Sequence, residues 1–209
     1  MAFVNFRESQ TTTMLVLASS SPFRRALMEN AGLSFTAQPA DIDERQIEAA
    51  LEKDEASPRQ VALVLAKAKA RDVSAKHRDA LVVGSDQTMA FGDRVFHKPK
   101  ERDEARENLK LLSGRTHILH SAIALVRNDE VVWEHVAEAR LTMRELSEHF
   151  IDLYLDRIGD EVKKSVGGYQ LEGQGIQLFS GIEGDYFTII GLPMLPLLQK
   201  LRDLGLIDA

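Results

Sequence analysis

The chain has 209 residues, 26 Lys and Arg against 32 Asp and Glu, a formal net charge of −6, and no cysteine. That length supports one large domain with a real core, and the missing cysteines exclude disulfides, thiolate zinc sites and cysteine nucleophiles. The acidic balance speaks against a protein that coats nucleic acid or an anionic membrane, but a site for a small anion needs only a local cluster of positive charge.

Apolar runs fall short of the ~20 residues a membrane helix needs. The first residues lack a signal-peptide pattern, so residues 1–13 read as a flexible polar leader and the expected address is cytoplasmic. Residues 14–18 are a short apolar run of the buried-strand kind. It stops at Ser19-Ser20-Ser21-Pro22, where a serine N-cap and a proline at the first helical position announce a helix that runs towards Gly32. A second strand is expected over 33–37, followed by a polar loop containing Asp41-Ile42-Asp43-Glu44. The longest helix is predicted over 54–76, opened by Ser57 and Pro58, with Val61, Val64, Leu65, Ala68 and Val73 as its apolar stripe.

Residues 80–85, Ala-Leu-Val-Val-Gly-Ser, form the clearest buried strand and deliver Asp86 at its end. A hairpin follows, with Gly92-Asp93 at its turn. Next come a helix over 101–112, two long strands over 116–126 and 130–142 flanking Asn128-Asp129, and a helix over 145–157. Glycines crowd 167–191, which reads as loops and short strands, and 193–204 is a closing helix. The pattern is α/β, with a mixed central sheet and flanking helices. No repeat or linker interrupts it, so 14–209 reads as a single domain.

The segment 15–25 carries the most chemistry. A buried strand feeds a hydroxyl-rich turn onto a helix N-terminus, where free N–H groups and the helix dipole favour an anion. Ser19 and Ser21 add donors, and Arg24 and Arg25 add forked, permanent charge suited to phosphate oxygens. The plainer alternative is an N-cap beside two surface arginines. It is not a P-loop, because the Gly-rich run and the Gly-Lys-Ser/Thr ending are missing. Asp86, at the end of a buried strand, suits a divalent cation or the orientation of an attacking water. Glu44 is a reasonable second ligand, while Asp41 and Asp43 read as solvated acids. His117 and His120 sit three apart on a strand, so they face opposite ways and read as structural.

An ordered set of segments then resembles the Maf family of nucleotide pyrophosphatases: Leu17-Ala18-Ser19-Ser20-Ser21-Pro22-Phe23-Arg24-Arg25, Asp43-Glu44, Lys69, Gly84-Ser85-Asp86-Gln87, Lys98-Pro99, Leu112-Ser113-Gly114 with His117, and Gly191-Leu192-Pro193. The resemblance spans 14–205. It implies a cytosolic protein with a deep cleft between two lobes. It also implies metal-dependent hydrolysis of a nucleoside triphosphate to monophosphate and pyrophosphate, and a homodimer is a further expectation. By resemblance Asp86 is the general base and, with Glu44, binds a divalent cation such as Mg²⁺ or Mn²⁺; Lys69 and Lys98 face phosphates. On the residues alone, Lys67 competes equally with Lys69. The family usually has Gly where this chain has His97.

Subgroups of the family differ at Phe23, Gln87 and Glu172. An aromatic residue, Gln and Glu resemble the 7-methyl-GTP subgroup; Arg, Thr and Gln resemble the pyrimidine-directed one. Methylation at N7 makes guanine cationic, and an aromatic face attracts a cation. A glutamate accepts from guanine N1–H and the N2 amino group, a pairing that pyrimidines do not offer. Singly, Phe23 reads equally as a packed helix residue and Glu172 as a loop acid. The rivals are a pyrimidine-directed pyrophosphatase and a non-catalytic nucleotide-binding regulator of cell division. The charge balance and the 6% aromatic content oppose a nucleic-acid binder.

Overall fold

Four consecutive apolar residues make β1 (Leu15–Ala18), buried on both faces, as befits a strand with helices above and below it. In the computed structural model, which describes residues 13–53, 56–92 and 94–208, β1 runs parallel to β2 (Thr36–Ala37) and to β3 (Leu81–Phe91). β3 turns at Gly92, whose φ is +58°, into the short antiparallel β4 (Arg94–Phe96). It also pairs antiparallel with β5 (Thr116–Arg127), and β6 (Glu130–Met143) and β7 (Phe179–Glu183) extend that side. The order across the described strands is β2-β1-β3-β5-β6-β7. Asn128 and Asp129, at φ 50° and 68°, make the tight β5–β6 turn with the left-handed backbone that two-residue hairpins prefer.

Seven helices among the described residues flank this mixed sheet: α1 (Pro22–Asn30), α2 (Glu44–Lys53), α3 (Pro58–Ser74), α4 (Arg102–Leu112), α5 (Glu148–Ile158), α6 (Tyr186–Ile190) and α7 (Met194–Asp203). Ser21 and Ser57 cap α1 and α3, each followed by proline, and Ser147 caps α5. Short 3₁₀ turns fill much of the glycine-rich stretch ahead of β7.

The structure corrects several expected boundaries. The segment around Glu44 is the start of α2, not a loop: Asp43 Oδ1 accepts from Gln46 N at 3.0 Å and its carbonyl accepts from Ile47 N. That is an Asp-x-x-Gln helix start with few apolar residues behind it to announce it. The long helix begins at Pro58 rather than at 54, and Asp54, like Asp93, lies outside the described residues. The expected 33–37 strand shrinks to two residues. β3 does not stop at Ser85 but continues to Phe91, so Asp86 sits in mid-strand. The α5 helix starts three residues later than expected.

Two large apolar clusters fill the core. One packs Met89 of β3, Phe96 of β4 and Leu119 of β5 against α4 and α5. The other packs Leu17, Leu81 and Leu125 against α1 and α7. Phe96, Leu119, Tyr169 and Ile189 of the first cluster line the cleft described next.

Candidate active site

The register of the central strands creates the site. β1 ends at Ala18, opposite Gly84, while β3 runs on. Asp86 therefore stands just beyond the carboxyl end of the parallel pair, where open α/β sheets present ligands. Alternation along β3 then sorts its side chains. Gly84, Asp86 and Thr88 meet α3: Gly84 lies beneath Ala66 and Ala70, Asp86 touches Lys69, and Thr88 Oγ1 donates to the Pro58 carbonyl at 2.8 Å. Ser85 and Gln87 take the other face, towards Gly191 and α6.

Gly84 is what lets α3 come so close. A Cβ there would fall 2.1 Å from the Ala66 carbonyl oxygen and 2.7 Å from the Ala70 Cβ. The approach seats Lys69, only 9% exposed, beside Asp86, 7% exposed. Lys69 Nζ lies 2.6 Å from Asp86 Oδ1 and 2.9 Å from Glu44 Oε1. Burial pushes the Asp86 carboxyl above the ordinary range, against the opposing pull of Lys69 and Arg24. Burial likewise draws the Arg24 guanidinium down, against Asp86 and Glu44, yet an arginine keeps its charge in proteins.

Arg24 is anchored at two points: its Nε donates to the Gly191 carbonyl at 2.9 Å and Nη1 to the Ser85 carbonyl at 2.8 Å. It thus ties α1 to β3 and to the turn after α6. In the serine turn, Ser19 Oγ accepts from Ser21 N at 3.1 Å and Ser21 Oγ accepts from Arg24 N at 3.4 Å. Each hydroxyl keeps its own proton to donate. Arg25, a helical step of about 100° further on, points elsewhere. It is exposed, pairs with Glu29 at 2.7 Å and does not line the cleft.

A cleft of about 1400 Å³ opens over these groups. Ser19, Ser21, Phe23, Arg24, Glu44, Lys69, Asp86, Gln87, Lys98 and Glu172 all line it, while Arg25 and the alternative lysine Lys67 do not. Lys67 instead pairs with Glu134 at 3.0 Å, away from the cleft. Gln87 Nε2 donates within 2.8–3.0 Å to Ser121 Oγ and to the Thr188 and Ile189 carbonyls, so its amide donors hold α6. His97 lies at the rim, its Nδ1 3.9 Å from Glu48 Oε2. Glu48 and Tyr169 are cleft residues that sequence reasoning did not select. Glu48 follows Glu44 by one helical turn, a spacing visible only once 44–53 is known to be a helix. The Tyr169 hydroxyl lies 2.6 Å from His117 Nε2, while His120 faces Glu138 across the sheet, its Nδ1 3.3 Å from that carboxylate.

The donor set suits a hard cation. Two carboxylates already grip one ammonium from two sides, and a divalent ion wants oxygen ligands of that kind. Among the described residues no third His, Asp or Glu completes a metal cage. Glu44 and Asp86 could therefore supply only part of a hard cation's coordination, the rest falling to water and substrate oxygens.

One cleft beside the mixed α/β sheet thus gathers a capped helix N-terminus, a half-buried arginine and a carboxylate–lysine cluster, groups of the kind that suit a phosphorylated small molecule. The family described as Maf-like protein matches residues 14–204, and the chain belongs to the Maf family. A relative from Rhizobium etli, named 7-methyl-GTP pyrophosphatase, is 66% identical over 197 residues, covering 94% of this chain and 99% of its own length. One of the same name from Rhizobium meliloti is 64% identical, covering 94% and 98%. A Bradyrhizobium diazoefficiens relative named nucleoside triphosphate pyrophosphatase is 52% identical, covering 92% and 95%. No helix among the described residues is long and apolar enough to cross a membrane.

Proposed function

We propose that this chain hydrolyses a nucleoside triphosphate between its α- and β-phosphates, giving the monophosphate and pyrophosphate, with 7-methyl-GTP preferred. One observation carries the chemistry: Asp86, Lys69 and Glu44 are in contact within the cleft that the α1 N-terminus and Arg24 also line. Ser19, Ser21, Arg24 and Lys98 supply donors and positive charge for the triphosphate oxygens. Asp86 orients the attacking water and takes its proton. Glu44 and Asp86 would hold a divalent cation, Mg²⁺ or Mn²⁺, which when bound neutralises charge developing on the phosphates. The setting that goes with this reading is the cytoplasm.

The choice of base rests on Phe23 and Glu172, which line the same cleft, and on the names of the most similar relatives given above. An aromatic face attracts the cationic ring, and a carboxylate accepts from the guanine N1–H and N2 amino group. Gln87 contributes indirectly, because its amide holds Ile189, a cleft residue. The test is kcat/KM for 7-methyl-GTP, GTP, UTP and dTTP with Mg²⁺ or Mn²⁺. 7-Methyl-GTP is expected to lead; a lead for UTP or dTTP overturns the base assignment, and no pyrophosphate from any of them overturns the activity.

A further inference from the structure

We propose that Lys69 is an internal counter-cation: it occupies the carboxylate pair in the free protein and passes from Asp86 and Glu44 to the phosphates when nucleotide and metal arrive together. The proposal rests on the pyrophosphatase reading above and assigns Lys69 a second duty within it.

Three observations carry it. First, the ammonium sits between the two carboxylates, 2.6 Å from Asp86 Oδ1 and 2.9 Å from Glu44 Oε1, where a divalent ion sharing those oxygens must go. Second, the local charges already cancel: two carboxylates face Lys69 and Arg24. A divalent ion added to this balanced cluster, buried at Asp86 but half-exposed at Glu44, would leave an excess of positive charge, and its repulsion by Lys69 and Arg24 is screened least on the Asp86 side. A triphosphate supplies that offset. Third, the two cations differ in freedom. Arg24 is pinned by the Gly191 and Ser85 carbonyls. The contacts of Lys69 are to the carboxylates themselves, and its four-carbon stem can swing without breaking a backbone tie. The serine turn of α1 lines the same cleft and offers phosphate oxygens a berth there.

The exchange makes metal and nucleotide binding mutually dependent. Free protein binds the divalent ion weakly and binds it much better with nucleotide. Removing the Lys69 charge lets the ion into the free protein, and most of the dependence disappears.

The experiment is Mn²⁺ binding to the full chain by water-proton relaxation, which separates protein-bound metal from metal on free nucleotide, with and without an α,β-methylene triphosphate. Lys69→Met is expected to bind Mn²⁺ in the absence of nucleotide at least about tenfold tighter than wild type, a lower bound set by removing one cation a few ångströms away even at the dielectric of water. Its further gain on adding nucleotide should be small. Lys69→Gln, which keeps a polar group against the carboxylates, should move the same way and serves if the Met variant does not fold. Variants that bind Mn²⁺ no tighter than wild type overturn the proposal. So does a wild-type protein that binds Mn²⁺ equally well with and without nucleotide. Pyrophosphate release by wild type is read separately. An active wild type with unmoved Mn²⁺ affinity in the variants removes only the Lys69 exchange. An inactive wild type whose variants still gain Mn²⁺ removes the pyrophosphatase reading and leaves the exchange standing.

Discussion

Gly84 of β3 and Ala66 of α3 are in closer contact than any side chain would permit, since a Cβ on Gly84 would fall 2.1 Å from the Ala66 carbonyl oxygen. The obstacle is helix backbone, so Gly84→Ala must push α3 outward. Lys69 and Asp86 are the pair that this approach brings together, so one methyl group should damage both the fold and the site. A loss of about 1–3 kcal/mol is expected from such overpacking, along with at least a tenfold fall in pyrophosphate release. Urea midpoints and initial rates measure the two effects. A variant that is destabilised yet fully active would show that the site tolerates the shift.

Asp86→Asn should separate stability from activity. Burial holds the folded carboxyl above its unfolded value. By linkage, the protonated form is favoured in the fold, that contribution is lost as pH rises through the folded pKa, and at neutral pH the ionised group is a burden. Asparagine removes the burden, and Glu44 still pairs with Lys69 at 2.9 Å. The melting temperature at pH 7 should therefore equal or exceed that of the parent. Turnover should fall by about 10²–10⁴-fold, the usual range for a positioned acid or base. Substantial residual activity would remove Asp86 from the proton transfer.

Much of this arrangement was legible in the sequence, and what escaped notice did so for physical reasons. The serine cap, the proline behind it and the buried strand before it mark the start of α1 at Pro22, because caps are local chemistry. Lys69 needed the resemblance to be preferred over Lys67, yet the spacing of Val61, Leu65 and Val73 leaves one place open at 69. Helical period alone puts Lys69 on the buried face of α3 and Lys67 off it. Arg25 stands a further step of about 100° round α1 from Arg24, and that step turns its side chain out of the cleft towards Glu29. α2 is charged and only ten residues long, so its apolar stripe, chiefly Ile47 and Leu51 one turn apart, is too short to stand out; its start is written in Asp43 and Gln46. Asp86 was expected at a strand end. In fact β1 ends there and β3 does not, and that difference lies in pairing register, which local propensity does not encode.

His117 should make stability depend on pH. Its ring is fully buried against the Tyr169 hydroxyl, and burial lowers its pKa from 6.5 to about 4. The unfolded chain takes up a proton near pH 6.5, while the fold waits until about 4. The histidine's contribution is therefore intact above 6.5, drains away as pH falls from 6.5 to about 4, and is constant below that. The full drop is about 3 kcal/mol by the usual conversion. His117→Gln keeps a polar partner for Tyr169 but cannot titrate. Its urea midpoint should change less than that of the parent between pH 7.5 and 4.5. Some slope will remain, because burial also lowers the pKa values of His120 and His135. Identical slopes for variant and parent would mean that His117 takes up its proton in the fold at the same pH as in the unfolded chain.

Phe23→Arg addresses base choice directly. Phe23 is half-buried on the first turn of α1, beside Arg24 and lining the cleft. Arginine there exchanges an attraction for the methylated ring, about 0.5–2 kcal/mol for a cation over an aromatic face, for like-charge repulsion. A neutral pyrimidine has no such attraction to lose, and an added cation near the cleft would if anything help its triphosphate. The ratio of kcat/KM for 7-methyl-GTP to that for UTP should therefore fall by about ten- to a hundredfold, mostly through the 7-methyl-GTP value. Glu172→Gln should lower the same ratio by a separate route, since an amide is a weaker acceptor for the guanine edge than a carboxylate. Their effects should add where the two side chains meet different parts of the base and not each other. A ratio unmoved by either substitution would place the base outside the region that Phe23 and Glu172 line, and the preference would then have to come from contacts to the sugar or the phosphates.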